Sequence, residues 1–171
     1  MSVVKFGQAA ATCSSPAAAV SDGFRVHGET RMWVDCEFND FGGALISMAL
    51  VGEDGREWYA SLGCANPTPW VAEHVMPVLR VPAVTRAEAQ ISLSVFLRRY
   101  DRVRVIADWP EDLAHFCQFL ITGPGMRLDT PVLSFAIDRG LDTQSPIPHN
   151  ALSDARANAC FHLERPDWRF S

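Results

Sequence analysis

The sequence predicts an α/β fold in which a mixed central sheet is flanked by helices. Three strand-like segments joined by short turns come first, and helical segments then alternate with strand-like ones. We expect the first three strands to form an antiparallel meander and later strands to add in parallel. The 171 residues suit one domain with a real core, since 48% are hydrophobic and 20% are charged.

Residues 1–30 are predicted to be a loosely ordered extension, and residues 31–171 to be the domain. The extension contains a run of small residues between Gln8 and Val20 that shows neither a helical stripe nor strand alternation. It also lacks a basic start followed by an apolar segment, so we do not expect a secretory signal.

Composition narrows the class of function. No apolar run approaches the ~18–20 residues that cross a bilayer, so no membrane association is expected. The net charge of −5 argues against a protein that coats long nucleic acids through a basic surface, but it permits one that grips a chain end. The five cysteines show no Cys-x-x-Cys spacing, which is typical of reduced thiols in a cytoplasmic protein rather than of disulfides or a zinc site.

The first core strand is predicted at residues 32–40 and carries two acids on one face. Side chains alternate along a strand, so Trp33, Asp35 and Glu37 point away from Val34 and Cys36. Asp35 and Glu37 therefore stand roughly 6–7 Å apart at the backbone. A partly buried carboxylate pair raises its own pKa unless a cation lies between, and Mg²⁺ prefers such oxygen ligands. Taken alone, such a pair is more often merely solvated at a sheet edge, because Asp-x-Glu pairs are common and the motif is short.

The next elements follow from turn and capping signals. Residues 44–51 are an apolar run that predicts a second strand, and a Glu-Asp-Gly turn at 53–55 predicts a hairpin into a third strand at residues 56–61. Thr68 before a proline predicts a short helix that runs to about Met76.

A capping box predicts the start of a second helix at Thr85. Its apolar stripe is expected to include Ile91, Val95 and Phe96, with two arginines in its last turn, where the helix dipole favours cations. Residues 102–107 then predict a fourth strand, parallel to the first because a helical crossover precedes it.

Three acids cluster where the fourth strand ends and a helix begins: Asp108, Glu111 and Asp112. Each could simply favour the positive end of the helix dipole, and Asp108 could be a cap. The apolar face of this helix is expected to contain Leu113, Phe116, Cys117 and Leu120.

The last elements place a histidine near another acid. A loop at residues 123–125 precedes an apolar stretch at 132–137, either helix or strand. Asn150 suits the N-cap of a closing helix, so His149 lies in the loop before it and Asp154 about one turn inside. Both side chains can face one cleft, although such a pair can also be purely structural. The inner face of this helix is expected to contain Leu152, Ala155, Ala159 and Leu163.

The order of these acids, with His149 ahead of Asp154, resembles the DEDDh 3′–5′ exonucleases, which have an RNase H-like fold. The resemblance covers about residues 32–164. The Asp-Cys-Glu-Phe segment at residues 35–38, the hairpin around Gly55 and the His149-to-Asp154 spacing are most similar to the small bacterial 3′–5′ exoribonucleases of this group.

The resemblance implies an exoribonuclease that releases nucleoside 5′-monophosphates from the 3′ end of RNA, in single strands or 3′ overhangs, by a two-metal mechanism. The acids Asp35, Glu37, Asp112 and Asp154 would hold two Mg²⁺ or Mn²⁺ ions. His149 would be the general base. Asp112, which precedes an apolar helical run, is preferred over Asp108 and Glu111 as the acid of the second motif.

Other possibilities stay open at this point. The same site could trim DNA, since no residue is seen that reads a ribose 2′-hydroxyl, or the chain could be a non-catalytic RNase H-like binding module. Phe38 or Trp109 could stack on terminal bases, although core packing is the more common role of an aromatic residue. A homodimer is possible by resemblance alone.

Overall fold

A five-stranded mixed sheet forms the centre of the structure, a computed structural model that describes residues 26–141 and 144–164. In chain order, the strands are β1 (Val26–Phe38), β2 (Leu45–Gly52), β3 (Glu57–Ser61), β4 (Tyr100–Ala107), β5 (Ile121–Gly123), β6 (Met126–Arg127) and β7 (Val132–Ile137). The helices are α1 (Pro69–His74), α2 (Arg86–Leu97), α3 (Pro110–Phe119) and α4 (Ala151–Leu163), and a 3₁₀ turn, Met76–Val78, follows α1.

The strand order in the sheet is β3-β2-β1-β4-β7. Strands β1, β2 and β3 pair antiparallel, whereas β4 lies parallel to β1 and β7 parallel to β4. Strands β5 and β6 form a separate small hairpin. The predicted α/β class is therefore confirmed, with a three-stranded meander extended by parallel strands, and the arrangement is consistent with an RNase H-like fold.

The two faces of β1 pack against different helices. Trp33 is fully buried among Ala151, Ala155 and Ala159 of α4. On the opposite face, Val34 belongs to the larger core that includes Phe116 of α3 and residues of α2. The alanines of α4 allow the helix to lie close to the strands, which brings its first turn toward the acidic end of β1.

Capping signals in the sequence located helix starts well. The Thr68 side chain accepts from the Val71 backbone N–H, and Thr85 and Glu88 form the complete capping box. Asn150 caps α4 by accepting from the Ser153 N–H. Strand β1 begins at Val26, so residues 26–30 of the predicted extension belong to it, while residues 1–25 lie outside the described residues.

The predicted stripe of α2 was wrong at two positions, because Ile91 is 65% exposed and Val95 is 47% exposed. The buried face instead contains Ala89, Gln90, Leu93, Phe96 and Leu97. Gln90 can be buried because its amide donates to the Phe119 and Ile121 carbonyls, at 2.8 and 3.1 Å. The two arginines predicted for the last turn also lie outside the helix, which ends at Leu97.

Two other helix faces differ from expectation in detail. In α3, Cys117 is exposed, while Asp112 joins Phe116 and Phe119 on the buried side. In α4, Leu163 is 47% exposed, and His162 is buried instead, where its ring accepts a hydrogen bond from the Trp33 indole at 2.7 Å. Among the described residues, no helix is both long and apolar enough to span a membrane.

Candidate active site

Three of the predicted acids lie at the carboxyl ends of two neighbouring parallel strands: Asp35 and Glu37 on β1, and Asp108 directly after β4. Trp33 of β1 stands beside Ile106 of β4, so two residues further along Asp35 comes beside Asp108. Because the side-chain period of a strand is two, Asp35 and Glu37 share the face that α4 covers. Strand β4 ends at Ala107, and α3 begins at Pro110 directly above this edge.

Two groups of three acids form where these elements meet. Asp35, Glu37 and Asp154 each place a carboxylate oxygen within 4.8 Å of the others, and the same holds for Asp35, Asp108 and Asp112. Asp35 belongs to both groups. The structure therefore brings together acids that lie far apart in the sequence, as the sequence analysis required.

Asp112 is fixed by the backbone of β1. Its carboxylate is 3% exposed and accepts a hydrogen bond from the Cys36 N–H at 3.2 Å. The Cys36 thiol also lies 3.7 Å from the Asp112 carbonyl oxygen, to which it donates. These contacts anchor the first turn of α3 on the strand that carries Asp35 and Glu37.

The other two acids near the start of α3 have different surroundings. Asp108 lies beside Asp35, and its Oδ1 atom is buried with no hydrogen-bond partner among the described residues. Glu111 does not line the cleft; its Oε1 atom accepts from the Gly42 N–H at 2.6 Å and ties α3 to the turn after β1. Of the three candidates, Asp108 and Asp112 thus reach the acidic cluster.

Burial and mutual repulsion raise the pKa values of the clustered carboxyl groups. Burial raises the pKa of Glu37 to about 8, with the charges of Asp154 and Asp112 adding to it. Burial likewise raises the pKa of Asp112 to about 8, and that of Asp35 well above its usual range. The pKa of Asp154 is also raised by burial, while the neighbouring His149 acts in the opposite direction.

The donor set fits a divalent cation. Within the described parts of the chain, none of these carboxylates pairs with a lysine or arginine at salt-bridge distance. Several buried carboxylates without a compensating charge are costly in a folded protein. Hard oxygen donors at this spacing, together with the unsatisfied Oδ1 of Asp108, are what a Mg²⁺-like or Mn²⁺-like ion requires.

His149 lies on the wall of the same cleft. It precedes the N-cap of α4 and has a left-handed backbone with φ of 64°. Its ring packs edge-to-face against Trp70 of α1, with 4.9 Å between ring centroids. The cleft, about 260 Å³ in volume, is lined by His149 together with Asp35, Glu37, Asp108, Asp112 and Asp154.

Aromatic side chains also line the cleft. Phe38, Phe41 and Trp109 line the cleft, and Phe41 is 80% exposed. Phe38 is partly buried against the core and stacks on His115, whereas Trp109 is 39% exposed. The Arg139 guanidinium lies 4.0 Å from the centroid of the Trp109 ring. The cleft therefore joins an acidic floor to an aromatic rim that carries a cation.

Comparison with known proteins gives the family. No family model matches the sequence. Two proteins from two strains of Mycobacterium tuberculosis, each named a 3′–5′ exoribonuclease, are 34% identical to this chain over 147 residues, which cover 74% of this chain and 87% of each relative. The chain belongs to this exoribonuclease family. The predicted relationship to small bacterial 3′–5′ exoribonucleases is thereby confirmed.

Several residues at the site of this exoribonuclease-family protein were missed from the sequence. Phe41 could have been found, since an aromatic residue in a Gly-rich turn directly after the first motif has little core to enter. Arg139 and Trp70 come from elements distant in the chain and carry no local signal. The Cys36 N–H contact to Asp112 depends on how α3 docks on β1, which no local pattern records.

Proposed function

We propose that this protein is a metal-dependent 3′–5′ exoribonuclease of the DEDDh type. It hydrolyses the 3′-terminal phosphodiester of RNA, in single strands or 3′ overhangs, and releases nucleoside 5′-monophosphates in the cytoplasm. The observation that carries this proposal is the convergence of His149 and five acids, Asp108 among them, on one cleft. The names of the two mycobacterial relatives support RNA as the substrate.

Asp35, Glu37, Asp112 and Asp154 are proposed to hold two Mg²⁺ or Mn²⁺ ions. Asp35 belongs to both acidic groups, so its carboxylate would contribute to the whole cluster. When bound, such ions neutralise the charge that develops on the reacting phosphate oxygens. Asp112 is preferred to Asp108 as the acid of the second motif, because the Cys36 N–H holds its carboxylate in place toward the cluster.

His149 is proposed to be the general base. Its imidazole lines the cleft and lies near the Asp154 carboxylate, so it can take a proton from the water that attacks the terminal phosphorus. The oxygen of that water bonds to phosphorus while the bond from phosphorus to the 3′ oxygen breaks. The shortened strand keeps a 3′-hydroxyl, and the released nucleotide keeps a 5′-phosphate.

The aromatic rim is proposed to hold the end of the RNA strand. Phe41 and Trp109 expose ring surface beside the acids, and stacking on such rings is tolerant of base identity. Arg139 places a positive charge over Trp109, at the edge of an otherwise acidic cleft, where it can meet a backbone phosphate. Phe38 supports this wall from below rather than stacking on a base, since it packs into the core.

Degradation of 5′-labelled substrates tests the proposal directly. Single-stranded RNA, single-stranded DNA and duplexes with a 3′ overhang are incubated with Mg²⁺, Mn²⁺ or EDTA, and the products are resolved by length. We expect stepwise shortening of RNA from the 3′ end, lost with EDTA and in His149→Ala.

Each alternative has its own outcome in this assay. Faster shortening of DNA would indicate an exodeoxyribonuclease that uses the same site. No cleavage of any substrate, together with binding of RNA or of a partner, would indicate a non-catalytic RNase H-like module. The homodimer that the resemblance implies is tested separately, by the molar mass of the protein in solution.

A further inference from the structure

Three aromatic rings, those of Trp70, His74 and His149, pack together, and His149 among them lines the cleft. The Trp70 indole stacks on the His74 ring with 4.7 Å between centroids and 14° between planes. The same indole meets His149 at 4.9 Å and 79°, which is an edge-to-face contact. His74 lies further from His149, at 6.4 Å. Trp70 is therefore the ring that contacts His149 most closely.

Helix α1, which carries Trp70, is anchored to the strand that carries the acids. The Asn39 side chain, directly after β1, accepts from the Thr68 N–H at 2.9 Å and donates to the Asn66 carbonyl at 3.1 Å. Val71 and Val75 are buried against Ile46 of β2. The position of Trp70 is thus set by the sheet.

The far end of the same segment is tied to the residue after His149. The Asn150 amide donates to the Val78 carbonyl at 2.7 Å, while its oxygen caps α4 at the Ser153 N–H. Asn150 is 6% exposed, so these bonds are shielded from water. The segment from α1 to the 3₁₀ turn therefore contacts both the ring of His149 and the side chain of the next residue, Asn150.

Besides these rings, the Asp154 carboxylate lies near the His149 side chain. Among the described residues, its imidazole nitrogens make no hydrogen bond, and its ring contacts are those with Trp70 and His74. Its backbone lies in the left-handed region, which a residue with a side chain adopts at a cost and which the surrounding structure must hold. Aromatic packing therefore restrains this ring while leaving its unprotonated nitrogen able to accept a proton.

We propose that Trp70 is a positioning residue for His149, holding the imidazole against the cleft in an orientation that can take the proton of the attacking water. This inference rests on the proposed role of His149 as general base. Trp70 acts through His149, so its removal should slow the chemical step and leave substrate affinity unchanged. His74 supports Trp70 from behind, since its Nδ1–H bonds the Trp70 carbonyl at 2.9 Å.

A double-mutant cycle tests the proposal through kcat and KM for a short single-stranded RNA with Mn²⁺. Trp70→Ala should lower kcat about three- to tenfold, which corresponds to the energy of one aromatic pair, with KM unchanged. Trp70→Phe should retain most of the activity. In a His149→Ala background, Trp70→Ala should have no further effect. The control is Phe135→Ala on β7, which removes a similarly exposed ring outside the site.

The outcomes separate this inference from the proposed function. If Trp70→Ala lowers the residual kcat equally in the His149→Ala background, or raises KM alone, Trp70 does not act through His149 and the proposal is overturned. If His149→Ala leaves kcat unchanged, the proposed base is wrong, whatever the result for Trp70.

A second measurement is independent of activity. In metal-free protein, the proton resonances of the His149 ring should show a ring-current shift from Trp70 that is lost in Trp70→Ala and kept in part in Trp70→Phe. Unchanged His149 resonances in Trp70→Ala, in protein that melts like the wild type, would overturn the positioning contact.

Discussion

Two sets of acids, one at the β2–β3 hairpin and one at the cleft, have opposite surroundings. At the β2–β3 hairpin, each acid has an arginine: Glu53 pairs with Arg31 at 2.8 Å, Asp54 with Arg56 at 2.6 Å and Glu57 with Arg156 at 2.6 Å. The Tyr100 hydroxyl also donates a hydrogen bond to the Asp54 carboxylate at 3.1 Å. These acids are neutralised within the fold.

At the cleft, buried and half-buried carboxylates lie close to one another instead. Asp35 lies in both acidic groups, and the pKa of Glu37 and of Asp112 is raised to about 8, first by burial. Within the described residues, none of them pairs with a lysine or arginine at salt-bridge distance. Within the described residues, the fold therefore places arginines at salt-bridge distance from the hairpin acids and none at that distance from the cleft carboxylates. We infer that the cleft acids bind a cation from solution.

The largest expected effect comes from exchanging one acid in each set for its amide. Asp35→Asn removes the residue common to both acidic groups, and we expect activity on 5′-labelled RNA to fall by about 10³-fold or more, since metal stabilisation is worth several kcal/mol. Asp54→Asn, the matched change at the hairpin, should leave activity unchanged and lower the melting temperature. If Asp35→Asn keeps more than a tenth of the wild-type activity, the cleft acids do not differ from the hairpin acids in their importance for activity.

A smaller effect is expected to separate the two acids near α3. Asp112→Asn should reduce activity by about 10²-fold or more, whereas Asp108→Asn should reduce it by less than about tenfold. Both changes preserve side-chain size. The melting temperature of each variant is therefore measured as a control for folding. If the two results are reversed, Asp108 is the acid of the second motif.

Local patterns were enough to place most of this site. Alternation along β1 predicted that Asp35 and Glu37 share a face, because a period of two holds in any strand. The Asn150 cap fixed the positions of His149 and Asp154 relative to α4. These parts of the site could be predicted because they depend on residues that are close in the sequence.

The remaining features depend on tertiary contacts. Both Asp108 and Asp112 reach Asp35, so the choice between them depends on how α3 docks against β1. The buried face of α2 includes Gln90 because carbonyls at the end of α3 and in β5 accept its amide, which hydrophobic periodicity cannot anticipate. Trp70 and His149 are far apart in the sequence and come into contact only in the folded structure.

The next prediction concerns the pH dependence of the metal-free protein. The folded pKa of Glu37 and of Asp112 is about 8, well above the ordinary value near 4 that applies in the unfolded chain. Between these values the folded state binds more protons, so stability is lost as the pH rises from about 4 through 8. In EDTA, the melting temperature should fall by at least about 5 °C between pH 5.5 and 8.5.

Adding Mn²⁺ should remove most of this fall in melting temperature, because bound ions stabilise the ionised carboxylates. Glu37→Gln should weaken the pH dependence in EDTA, whereas Glu57→Gln at the hairpin should not change it. If the melting temperature of the metal-free protein rises with pH over this range, the pKa values of the cleft carboxyl groups are not raised in the folded protein.

Calorimetric titration of metal-free protein with Mn²⁺ at pH 7.5 tests the central claim most directly, because it measures cation binding without substrate. We expect saturable binding in the wild type, a marked loss of affinity in Asp35→Asn, and wild-type binding in Asp54→Asn. Absence of Mn²⁺ and Mg²⁺ binding by the wild type, or equal binding by Asp35→Asn, would contradict the conclusion that the cleft acids form a metal centre.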